Sequence, residues 1–117
     1  MDREAFEREV QAAARLLPEQ FASALQNLEI LVEDAPGPEV VAEFGGNLLG
    51  LYQGVPLPER SATYPPLYPD RIVLYQRNIE AAGHTPAGIR EEVRLTLLHE
   101  IGHYFGMDDD HLHEMGY

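Results

Sequence analysis

His99 and His103 stand four residues apart, with Glu100 directly after the first histidine. On an α-helix that spacing stacks the two imidazoles on one face, a turn apart, so that two ring nitrogens can converge on one metal ion. Glu100 then lies beside the metal face, placed to accept a proton from water rather than to ligate. This H-E-x-x-H pattern suits hydrolysis by a bound zinc ion, which lowers the pKa of its water while the glutamate serves as general base. The pattern continues as His99-Glu100-Ile101-Gly102-His103-Tyr104-Phe105-Gly106-Met107-Asp108-Asp109, or H-E-x-x-H-x-x-G-x-x-D. Gly106 can take the left-handed conformation that ends a helix, and the reversal brings Asp109 back towards the histidines with an oxygen to offer. The expected site is one zinc per chain held by His99, His103 and Asp109, with Glu100 as the catalytic base.

The surroundings sharpen this reading. Leu95-Thr96-Leu97-Leu98 and then Ile101, Tyr104 and Phe105 make the stretch around the motif apolar nearly all round. Two histidines and a carboxylate unpaired in such a stretch would cost several kcal/mol, and zinc satisfies all three. The bland alternative is a core network in which these groups bond to backbone and arginine. Asp108, Asp110, His111, His113 and Glu114 crowd the same tail. Asp108 or Asp109 is the natural N-cap of a short helix over 110–116, and His111 and His113 read as solvated or supporting groups. His84, in a turn, is given no role. Donors for the oxyanion of a tetrahedral intermediate are sought among Tyr104, Tyr117, Tyr64 and Tyr68.

The elements that must position this site follow from periodicity. Residues 2–16 read as an amphipathic helix capped by Asp2, with Phe6, Val10, Ala13 and Leu17 on one face. Pro18 suits the first turn of a second helix carrying Phe21, Ala22, Leu25 and Leu28. Strands are expected at Ile30–Val32, Leu48–Tyr52 and Arg71–Tyr75, the first stopped by Asp34-Ala35-Pro36-Gly37-Pro38. Between the last two strands, Gln53 to Asp70 holds five prolines and reads as an extended surface segment, or as a flap over a substrate groove. A short helix over Gln76–Ala82 closed by Gly83 precedes the long motif helix from Pro86 to Phe105.

Composition narrows the function. The 117 residues suit one domain spanning 1–117. Eight basic residues, all arginine, face 20 acidic ones for a net charge of −12, which excludes the basic face that nucleic acid or an anionic membrane would need. With no cysteine, thiolate zinc sites and cysteine nucleophiles are absent, so a metal must be held by histidine and carboxylate. The acidic, periodic N-terminus is unlike a signal peptide, and no apolar run approaches the roughly 20 residues of a membrane span. A cytoplasmic protein is expected.

The segments LLHEIGHYFGMDDDHLHEMGY (97–117), LLGLYQGVPLPERS (48–61) and DRIVLYQRNI (70–79) resemble the small bacterial zincin-like metallopeptidases. The resemblance implies an α+β, minimal zincin-like fold: a short twisted three- or four-stranded sheet packed on helices that include the H-E-x-x-H helix, with zinc at the motif. Metzincins share the extended motif but end it in histidine where this chain has Asp109. Fourteen residues follow His103, so neither Met107 nor Met115 is expected to form their methionine turn. The expected function is hydrolysis of a peptide or protein substrate. Its rival is a zinc-stabilised binding module that closes the fourth metal position with a side chain such as His113.

Overall fold

Asp2 accepts a hydrogen bond from Ala5 N–H at 2.7 Å and opens helix α1 (Arg3–Ala14), which buries Phe6, Val10 and Ala13. The computed structural model describes residues 1–60 and 70–117. After Pro18 the expected second helix is brief: α2 (Glu19–Ala22) tightens into a 3-10 turn (Ser23–Asn27). Leu28 therefore belongs not to a helix but to strand β1 (Leu28–Glu33), whose side chains alternate in burial. Helix α3 (Pro38–Phe44) was not expected; Pro38 starts it, Gly45 ends it at φ 87°, and none of its residues is buried.

Strands β2 (Gly50–Gln53) and β3 (Asp70–Tyr75) follow, with a 3-10 turn at Leu57–Glu59 between them. Of the segment expected as an extended loop or flap, Gln53 to Asp70, the ends belong to β2 and β3, and residues 61–69, with Tyr64 and Tyr68, lie outside the described residues. The sheet has the order β1-β3-β2. β1 runs parallel to β3 from Leu28↔Asp70 to Glu33↔Tyr75, and β2 runs antiparallel from Gly50↔Leu74 to Gln53↔Arg71. Ile72 and Leu74 point into the core cluster with Phe6, Phe21, Leu97 and Ile101. Val73 and Tyr75, on the other face, line a shallow hollow beside Pro38 and Val40.

Helix α4 (Gln76–Gly83) ends one residue later than expected, and the left-handed residue is His84 (φ 64°), not Gly83. Gly83 serves a different purpose, since a Cβ there would lie 2.5 Å from Ile89 N. Thr85 then caps α5 (Pro86–Tyr104) by accepting from Gly88 N–H at 3.0 Å. α5 is the central element, with Val93, Leu97, Leu98 and Ile101 fully enclosed; truncating one such leucine to alanine costs about 2 to 5 kcal/mol. α6 (Asp109–Glu114) closes the chain. This is a mixed α+β architecture with a three-stranded sheet. No helix among the described residues is long and apolar enough to cross a membrane.

Candidate metal centre

The metal-facing geometry is built by the end of α5. Gly106, at φ 89°, reverses the chain: its N–H donates to His103 O and the Met107 N–H to Gly102 O, both at 2.9 Å. This is the paired-bond stop of a helix that ends in a left-handed glycine. The reversal has two consequences. The Met107 carbonyl comes within 3.1 Å of His103 Nδ1, and a carbonyl can only accept, so the proton sits on Nδ1 and the Nε2 lone pair is left for a metal. The chain then folds α6 back over α5, where Leu112, fully buried, rests on Gly102. A Cβ on Gly102 would run into the Leu112 side chain, so the glycine between the motif's glutamate and second histidine is what lets α6 approach.

Asp108, not Asp109, caps α6, accepting from His111 N–H at 2.8 Å. Asp109 is thereby left to turn inward. Its Oδ1 lies 3.1 Å from His99 Nε2 and 3.2 Å from His103 Nε2, although the side chain is 76% exposed overall. The His99, Glu100 and His103 ligand atoms lie within 4.8 Å of one another. His111 and His113 are exposed and are not part of this group.

Glu100 is held from the sheet. Its Oε1 accepts the Tyr52 backbone N–H at 2.9 Å. In an antiparallel pair every second residue points its N–H and C=O away from the partner; Tyr52 is such a residue, so the free edge of β2 meets the base. β2 comes this close because Gly50 has no side chain: a Cβ there would sit 2.6 Å from Thr96 Cγ2. Glu100 is only 8% exposed, and burial pushes its carboxyl above the ordinary carboxylate range, opposed by His103 and the Tyr52 N–H.

A second layer of contacts, not anticipated from sequence, fixes Tyr52. Its hydroxyl donates to Asp70 Oδ2 at 2.6 Å, and the Arg60 guanidinium pairs with the same oxygen. Arg60 Nε also donates to Val55 O at 2.8 Å and its guanidinium stacks 5.5 Å from the Tyr104 ring centre. Asp70 is 3% exposed, and a Cβ on Gly54 would strike its carboxyl group. Burial, and then the bond to Asp70, raises the Tyr52 phenol well above its ordinary value, so it stays a donor. The readable signal was an aspartate at the start of a strand whose last four residues, Ile72 to Tyr75, are apolar or aromatic. Among the tyrosines considered as oxyanion donors, Tyr104 is in the core and Tyr117 lines a cavity with His99 and Glu100.

An α+β domain whose central helix presents a histidine pair and a buried glutamate to an antiparallel edge strand defines a metallopeptidase-like class. A model of the zincin-like metallopeptidase family matches residues 25–117, and the chain belongs to that family. No curated protein matches the sequence.

The family implies zinc, and the donor set suits it. Bonds of about 2.0 to 2.2 Å in tetrahedral geometry place neighbouring donor atoms about 3.3 Å apart. The 3.1 and 3.2 Å separations of Asp109 Oδ1 from the two imidazole nitrogens are close to that spacing.

Proposed function

We propose that the protein is a zinc-dependent peptidase in which His99 Nε2, His103 Nε2 and Asp109 Oδ1 hold the ion and Glu100 is the general base. The observation that carries this reading is the approach of one Asp109 oxygen to both imidazole nitrogens, beside the buried Glu100 carboxylate that the Tyr52 N–H holds by one oxygen. Zinc bound there would polarise a substrate carbonyl and make water acidic enough to lose a proton near neutral pH.

The protein's own groups supply the rest. The Met107 carbonyl keeps His103 in the ligating tautomer. The Tyr52 N–H holds Oε1 of Glu100, leaving Oε2 to take the proton of the attacking water and return it to the departing amine. Burial strengthens the carboxylate as a base. Among the described residues the edge of β2 away from β3 pairs with no strand, and the half-buried Tyr52 there would receive an extended peptide, which strand addition would lay across Glu100.

A diverse library of unstructured peptides tests the proposal. The zinc-loaded protein should cut some members slowly, a chelator should stop the cutting, and Glu100→Gln should stop it while keeping zinc. An intact library after long incubation, or cuts that persist in Glu100→Gln, would leave a zinc-stabilised binding module instead.

A further inference from the structure

Glu92 lies on the metal-facing stripe of α5. Glu92, Thr96, His99 and His103 follow one another at intervals of four, three and four residues, so they share one helix face. A cavity of about 270 Å³ opens beside His99 and Glu100 and extends along this face to Glu92, walled by Leu48, Leu49 and Leu95 and by Tyr117. Its size suits a single side chain rather than a whole small-molecule ligand.

The chemistry along the cavity is uneven. The Thr96 hydroxyl is spent on Glu92 O at 2.7 Å, and the other hydroxyl on the lining belongs to Tyr117. Glu92 is half-buried, and among the described residues no cation forms an ion pair with its carboxylate. Arg94, nearby in sequence, is committed to Glu91 through two bonds of 2.8 and 2.6 Å. An apolar slot that runs from the base to an uncompensated carboxylate fits a side chain with a long aliphatic stem and a cationic end. An apolar guest would bury the Glu92 carboxylate further without a partner, and an acidic one would be repelled.

We propose that this cavity is a subsite for an arginine or lysine side chain of a bound peptide, and that Glu92 determines that specificity. Two helical turns separate Glu92 from His99, about 10 Å along the axis, a gap that an extended arginine and the Glu92 side chain bridge between them. The inference rests on the peptidase reading, because it takes the peptide to lie across Glu100.

Binding and cleavage test it separately. In NMR titrations of the zinc-loaded protein, N-acetyl-arginine amide and N-acetyl-lysine amide should bind about fivefold or more tighter than N-acetyl-norleucine amide. They should perturb Leu95 and Tyr117. Glu92→Gln should reduce the preference to within about twofold, whereas Glu29→Gln, an equal charge change on the exposed outer strand β1, should preserve it. Norleucine amide binding as well as arginine amide, a preference that survives Glu92→Gln, or one that Glu29→Gln removes equally would each overturn the assignment. In the peptide library, cuts should cluster beside basic residues for the wild type and lose that bias in Glu92→Gln. Cutting with no basic bias would overturn the subsite and leave the peptidase reading standing. Glu92-dependent binding of the arginine amide without any cutting would support the subsite and remove the peptidase.

Discussion

At its N-terminal end α5 meets α4 through two glycines: a Cβ on Gly88 would collide with Gly83 O, and one on Gly83 would lie 2.5 Å from Ile89 N. At its C-terminal end two further glycines do similar work, Gly102 beneath Leu112 and Gly106 against Pro58, where a Cβ would lie 2.6 Å from Cγ. The first junction packs backbone on backbone beside Thr85, the cap of α5. The second brings Asp109 to the histidines and the Met107 carbonyl to His103. Close packing at one end thus anchors the helix, and at the other it sets ligand geometry. The two ends should therefore separate stability from metal affinity.

The largest effect is expected from His103→Ala. Loss of a carbonyl that merely orients a ligand costs about 10- to 100-fold in metal affinity, so loss of the ligand itself should exceed about 100-fold in competition against a chelating dye. Affinity in the wild type should also fall as the solution is acidified, because protons compete with the metal for the imidazole nitrogens.

Gly102→Ala should come next and should damage both properties. The new methyl group pushes Leu112 out of a filled site at a cost of about 1 to 3 kcal/mol, measurable by urea unfolding in chelator. It also displaces α6, and with it Asp109, so zinc affinity should fall as well. Gly88→Ala is the contrasting variant. It should lower stability by a similar amount, partly offset by about 1 kcal/mol of helix propensity, and leave zinc affinity within about twofold. Equal loss of zinc affinity in both variants would erase the distinction between the two ends.

What was legible in the sequence divides along the same line. His99, Glu100 and His103 share one helix, so their arrangement follows from a local period, and the Gly106 stop is a local backbone preference that carries Asp109 with it. The Tyr52 N–H that holds Glu100 is 48 residues away and is a backbone group, which leaves no mark in residue type. Gly102 was visible as a glycine, but its purpose depends on where Leu112 lands. Pro38 was a readable helix start; α3 escaped notice because Val40, Val41 and Phe44 read as chain between strands and none is buried in the fold. The second helix shortened because Leu28 is held by pairing with Asp70, a contact that periodicity does not contain.

The smallest effect should appear in the metal-free protein. Burial holds the Glu100 carboxyl above its ordinary value, so between the unfolded and folded values the native state carries more protons than the unfolded one. Stability then falls as pH rises through that window. Glu100→Gln, which can still accept from Tyr52 N–H, should lack this fall and melt slightly higher than wild type at neutral pH. A lower melting temperature for the glutamine variant would mean that the charged form is the better accommodated one.

The arrangement of the metal centre is tested most directly by a crystal structure of the zinc-loaded protein with anomalous scattering at the zinc edge. One ion should lie about 2.0 to 2.2 Å from His99 Nε2, His103 Nε2 and Asp109 Oδ1, with a coordination position open to solvent and Glu100 still bonded to the Tyr52 N–H. Glu100 or His113 in the coordination sphere, or no ion between the two histidines, would contradict it.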